Sequence, residues 1–156
     1  MKYDIKAHPT EYRGVMFRSR LEARWAAFFD LIEWRWEYEP IDLNGWTPDF
    51  RVEFDCCHSE CGGGHTLLVE IKPYYFIEQF SGHPCTKYYF GGIGYGYERL
   101  IQEDSSAAFG NNPHVTYWEM VHGAGGGVES VEQRTQGIDI DALWNKAGEI
   151  TQWHPK

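Results

Sequence analysis

The sequence predicts an α/β protein, a mixed β-sheet flanked by helices. A stretch with helical hydrophobic spacing lies near the N-terminus, and three stretches with the two-residue alternation of strands follow it. A second helical stretch closes the chain. With 156 residues and 42% hydrophobic content, a single domain over 1–156 is the simplest organisation and is long enough to bury a real core.

The first helix is read from "SRLEARWAAFFDLI". Ser19 followed three residues later by Glu22 is a capping-box pattern, which makes Ser19 the N-cap. Leu21, Trp25, Phe28, Phe29 and Ile32 then recur at helical spacing. In "WRWEYEP", Trp34, Trp36 and Tyr38 alternate with Arg35, Glu37 and Glu39, as in a half-buried strand. Asn44-Gly45 is a hairpin signal and predicts a tight turn into the next strand. That strand, "WTPDFRVEF", sets Trp46, Phe50, Val52 and Phe54 on one face against Asp49, Arg51 and Glu53 on the other. A Cys- and Gly-rich insertion at 55–65 leads into a third strand, "TLLVEIK", stopped by Pro73.

Further on, "YYFIEQF" reads as a short helix, "TKYYFGG" and "HVTYWEMV" as strands, and 91–113 mostly as loop. "IDIDALWNKAG" is the closing helix, with acid at its start and Gly148 as its C-terminal cap.

The third strand raises the chemical question. Leu67, Val69 and Ile71 face one way, and Leu68, Glu70 and Lys72 the other. Charged side chains rarely enter a buried strand without partners. Laid beside the preceding strand, this one would bring Asp49, Glu70 and Lys72 into one cluster. Two carboxylates with open positions suit a hard divalent cation such as Mg²⁺. Such an ion activates water and neutralises charge growing on a phosphate. A neighbouring ammonium can orient the water. The plainer alternative is a same-face ion pair on a solvated sheet.

Pro48-Asp49 followed by Glu70-Ile71-Lys72, with Glu22 on the helix ahead of them, resembles the signature of the PD-(D/E)XK nuclease superfamily. The wider pattern over residues 12–73 is similar to small phage-encoded nucleases of that superfamily, and to its subunit that cuts transposon ends. The resemblance implies a restriction-endonuclease-like αβββαβ core and hydrolysis of DNA phosphodiesters with Mg²⁺ or Mn²⁺. By the same resemblance, Asp49, Glu70 and the backbone carbonyl of Ile71 are metal ligands. Lys72 positions or activates the water, and Glu22 is an outer ligand or helper. As a capping-box glutamate, Glu22 needs no catalytic reason.

Net charge is −9, yet residues 1–35 hold seven Lys and Arg against five Asp and Glu, +2, which leaves −11 for the rest. DNA is therefore expected at Arg13, Arg18, Arg20 and Arg24, since cationic side chains supply the phosphate contacts. The alternative pairs these arginines with Glu11, Asp30 or Glu33. Cys57-x₃-Cys61 has the spacing of half a zinc site, which His65 and Cys85 (or His58 and His83) could complete around structural Zn²⁺. Equally, the insertion could be a Gly-rich loop with incidental thiols, and Cys56 is assigned nothing.

Neither "GGIGYGYERL" nor "GAGGGVE" offers the lysine and serine of a phosphate loop. Tyr74, Tyr75 and Tyr95 are candidates for base stacking, while His114 and His122 read as structural or exposed. No apolar run follows "MKYDIKAHP", so no membrane partner is expected. The setting implied is the cytoplasm of a bacterial host cell, with a homodimer mate or a host or phage protein as further partners. Two rival functions remain on the same residues: a catalytically weak binding module that imitates DNA against host defences, and a zinc-stabilised accessory subunit of a larger complex.

Overall fold

The computed structural model describes residues 8–43, 45–56, 63–88, 105–122 and 125–152. Asn44, Cys57, His58, Cys61, Tyr95, residues 91–104 of the expected loop and the side chain of His122 lie outside the described residues.

A two-stranded ribbon, β1 (Thr10–Tyr12) and β2 (Val15–Phe17), precedes helix α1 (Arg20–Leu31). Strands β3 (Arg35–Tyr38), β4 (Phe50–Asp55), β5 (Gly64–Ile71), β6 (Ser105–Phe109), β7 (Thr116–His122) and β8 (Gly125–Glu129) form one six-stranded sheet in chain order. The β5–β6 pairing is parallel, and the other neighbours are antiparallel. Helices α2 (Val131–Arg134) and α3 (Ile140–Ile150) end the described chain. The protein is thus mixed α/β.

Ser19 caps α1 as expected, its hydroxyl accepting from the Glu22 amide at 3.1 Å. One sheet face lies under α1 and α3. Phe50, Val52, Phe54, Leu67, Val69, Ile71 and Phe109 meet Trp25, Phe28, Phe29 and Trp144 there. Trp25 is wholly buried, its ring 4.9 Å from that of Phe109 and 4.8 Å from that of Trp144, and its indole N–H donates to the Gly110 carbonyl. The other face is covered by the β3–β4 connection and by two 3₁₀ turns, Ile77–Phe80 and Pro84–Tyr88. They bury Leu68 and Ala108 with Trp46, Phe80 and Cys85.

Several expectations are corrected. β3 and β4 are not joined directly by the expected two-residue turn. The connection 39–49 makes a small excursion closed by the Leu43–Trp46 bridge, with Gly45 at φ +79. That excursion carries Trp46 to the face opposite Phe50, Val52 and Phe54. The short helix expected in "YYFIEQF" is present as a 3₁₀ turn, Ile77–Phe80, whereas Thr86–Tyr88 of the expected strand are 3₁₀ and not β. Residues 105–109 of the expected loop are β6, buried throughout.

Gly148 lies inside α3, whose C-cap is Thr151. A Cβ there would stand 2.9 Å from the Arg24 guanidinium, so the glycine admits that side chain in place of ending the helix. The β1–β2 ribbon, unforeseen in the sequence, turns on Arg13-Gly14, both with positive φ as a two-residue I′ turn requires.

Gly110 follows β6, where a Cβ would come within 2.5 Å of both the Tyr74 carbonyl oxygen and Val115 Cγ1. Gly110→Ala should therefore cost about 1–3 kcal/mol by overpacking, read as a fall of several degrees in Tm. An unchanged Tm would mean the backbone there yields freely.

His114, in the β6–β7 turn, sets Nδ1 2.7 Å from Glu132 of α2 and Nε2 2.6 Å from Asp141 of α3. Hydrogen bonds to Asp141 and then Glu132 raise its pKa. The stability this gives is complete below the ordinary histidine value of about 6.5 and disappears as pH rises through the folded value. Melting scans from pH 5 to 9 should show His114→Gln destabilised at the acid end and level with wild type at the alkaline end.

Candidate active site

The site forms where β4 begins and β5 ends. Asp49 immediately precedes β4, and its backbone N–H donates to the Val69 carbonyl at 2.9 Å. Its Oδ2 accepts from the Ile71 amide at 2.7 Å, which locks the carboxylate against the end of β5. Its Oδ1 accepts from Arg18 Nη2. Burial, then the charge of Glu70, then that of Glu22, push the Asp49 pKa up to about 7, against the Ile71 hydrogen bond and the Arg18 charge. Asp49 is 3% exposed and Glu22 and Glu70 5% each, so three carboxylates are buried at one end of the sheet.

Each has partners. Glu22, in the first turn of α1, accepts from the Ser19 hydroxyl at 2.9 Å on Oε1, and from Tyr38 O–H at 3.1 Å and Arg18 at 3.2 Å on Oε2. Glu70 accepts from the Trp46 indole N–H at 2.8 Å on Oε1, while Lys72 Nζ stands 3.2 Å from Oε2. His83 adds Nε2 at 3.5 Å from the same oxygen. Its Nδ1 accepts the Cys85 amide N–H at 3.0 Å, which fixes the neutral tautomer with the proton on Nε2, facing Glu70. Burial, and after it Lys72, hold the His83 pKa below its ordinary value although Glu70 pulls it up.

The structure therefore brings Asp49, Glu70, Lys72 and Glu22 to one end of the sheet, Lys72 beside Glu70 and Glu22 linked to Asp49 through Arg18. Among the described residues no group of three or more His, Cys, Asp and Glu side chains is arranged to hold a metal. Two carboxylates with the Ile71 carbonyl still fit Mg²⁺, which commonly takes one or two protein carboxylates and completes its shell with water and substrate phosphate.

The four arginines do not form one surface. Arg13 pairs with Asp30 at 3.1 Å, and Arg18 lies at the carboxylates. Arg20 donates to the Gly148 carbonyl, and Arg24 donates to that of Trp144 while stacking 4.1 Å over its ring, so both dock α3. Of the zinc candidates, Cys57 and Cys61 lie outside the described residues, and the structure does not bring the other two together. His65 packs on Phe54 on the helix-covered face, and Cys85 is buried beneath Leu68 on the other, so one ion cannot take both. Tyr74 packs on Phe80, and Tyr75 is exposed.

Sequence reasoning missed His83 and Trp46 as partners of Glu70 and Tyr38 as a partner of Glu22. His83 lies 13 residues from Glu70 with no spacing rule to join them. The alternation that put Trp46 in the main core was itself the misleading signal. A scan against protein-family models and searches of the curated proteins and of the solved structures found no match to this chain.

Asp49 also predicts a pH dependence. The unfolded chain loses this proton near pH 4, whereas the folded chain keeps it to about 7. Folding stability from this group thus falls as pH rises across that window and stays low above it. In metal-free protein, the Tm of Asp49→Asn minus that of wild type should climb from pH 4 to pH 7 and then level off. A pH-independent difference would mean the carboxyl is not held protonated by its surroundings.

Proposed function

We propose that this chain is a divalent-metal-dependent endodeoxyribonuclease of the PD-(D/E)XK type, encoded by a phage or mobile element and acting in a bacterial cytoplasm. The carrying observation is that Asp49 and Glu70, both nearly fully buried, meet at adjoining strand ends with Lys72 on Glu70. A solvated-face ion pair would not bury both carboxylates. The order of α1, the antiparallel run β3–β4–β5 and a parallel β6 supports the restriction-endonuclease-like core that the resemblance implies. The described part of the crossover holds 3₁₀ turns where that core would place a helix.

In this reading Asp49 Oδ1, Glu70 and the Ile71 carbonyl hold Mg²⁺ or Mn²⁺. The bound ion supplies Lewis acidity, lowering the pKa of water and offsetting phosphate charge. Lys72 orients the water whose oxygen attacks phosphorus as one P–O ester bond breaks, leaving a phosphate monoester and a hydroxyl. Trp46 holds Glu70 in place through its indole N–H, so the carboxylate meets its ligand without losing rotamer freedom at that moment.

Cleavage of plasmid, branched and single-stranded DNA with Mg²⁺ or Mn²⁺ tests this. Asp49→Asn and Glu70→Gln should abolish cutting, and Lys72→Ala should reduce it by roughly 10²–10⁴-fold, with folding intact. Variants that cut like wild type would refute the assignment. The second reading, a DNA-imitating binding module on the same fold, is favoured by the carboxylates already being engaged within the chain, and predicts no cutting with any metal.

A further inference from the structure

Arg18 is the one cationic side chain that reaches both Asp49 and Glu22 among the described residues. It precedes the N-cap of α1, its backbone N–H and Nε both donate to the Tyr38 hydroxyl, and Nε also pairs with Glu39 at 3.3 Å. Its side chain remains 63% exposed, so the guanidinium covers the two buried carboxylates from the solvent side. The oxygen it takes on Asp49 is Oδ1, the one that the Ile71 amide leaves free. A divalent ion bound to Asp49 needs that same oxygen, and would lie within a few ångströms of a fixed positive charge.

We infer that Arg18 is a resident cation competing with the divalent ion for Asp49 Oδ1, and that the ion's arrival turns Arg18 outward to contact the substrate's phosphate. The inference rests on the nuclease reading and adds to it a competition built into the site. An exposed cation with four internal partners can make such an exchange, because Tyr38 and Glu39 remain to hold the side chain at the mouth. Binding of the ion and the position of Arg18 are then linked reciprocally.

Calorimetric titration of metal-free wild type and Arg18→Ala with Mn²⁺ tests the competition. Removing the guanidinium should tighten Mn²⁺ by roughly ten- to a hundredfold, the usual range of such couplings. Duplex affinity should show the second half. With Ca²⁺ present, Arg18→Ala should bind DNA more weakly, with the slope of log affinity against log salt reduced by about one; without metal, the two proteins should bind alike.

If Arg18→Ala unfolds, wild type suffices. The Arg18 Nη–H signals in ¹⁵N spectra, identified by their absence from Arg18→Lys, should shift and lose exchange protection on addition of Mg²⁺, as Nη2 leaves Asp49 and Glu22. Equal or weaker Mn²⁺ binding by Arg18→Ala, or Nη–H signals indifferent to Mg²⁺, overturns the competition. Should wild type still cut DNA in that case, the nuclease reading survives alone. Should neither protein bind Mn²⁺ nor cut, both fall together.

Discussion

Burying a carboxylate is expensive unless hydrogen bonds and opposite charge replace the water it loses. Here three are buried at one end of one sheet, and the local structure can be followed outward from their partners. Asp49 needs the Ile71 amide, which is available because Asp49 itself stays outside the β4 ladder while its backbone pairs with Val69. Glu22 needs Tyr38 and Arg18, which sets the start of α1 against the end of β3. Glu70 needs the Trp46 indole, and this is what the excursion between β3 and β4 delivers. The connection between β3 and β4 therefore serves side-chain placement more than strand pairing.

Much of this was legible where periodicity and burial agree. α1 has a strong hydrophobic repeat and a capping pair, and β5 alternates cleanly enough to put Glu70 and Lys72 on the face opposite Leu67, Val69 and Ile71. What stayed hidden has physical causes. β6 reads "SSAAF", without the branched or large side chains that mark a strand. It is an interior strand pressed between two packed layers, so small residues are what fit, and Ser106 is tolerated because its hydroxyl donates to the Cys85 carbonyl at 2.7 Å. The β1–β2 turn uses Arg13 in a left-handed conformation that arginine seldom adopts, with its guanidinium tied to Asp30.

The candidate site divides along the same line. Its carboxylates and lysine were legible because strand geometry fixes which side chains share a face. Their partners come from elements far apart in the chain, where only tertiary structure decides. Counting charge along the sequence grouped Arg18 with Arg20 and Arg24, but one helical turn separates their fates. Arg20 and Arg24 follow the cap and lie against α3, whereas Arg18 precedes it and turns toward β3 and β4. Net charge per segment describes a field and says nothing of which cation is already spent.

The parallel β5–β6 pairing has a consequence for the chain as it is made. By the time residue 71 has emerged, β3, β4 and β5 can pair, but the far edge of β5 has no neighbour until residues 105–109 follow. At translation rates of about 5–20 residues per second, that interval lasts roughly 2–8 s. Throughout it the unpaired edge of "LLVEI" is open to a neighbouring nascent chain. Trp25 waits longer still, since Trp144 lies in the last helix. A protein built this way depends on its final third arriving before its first half finds a partner elsewhere.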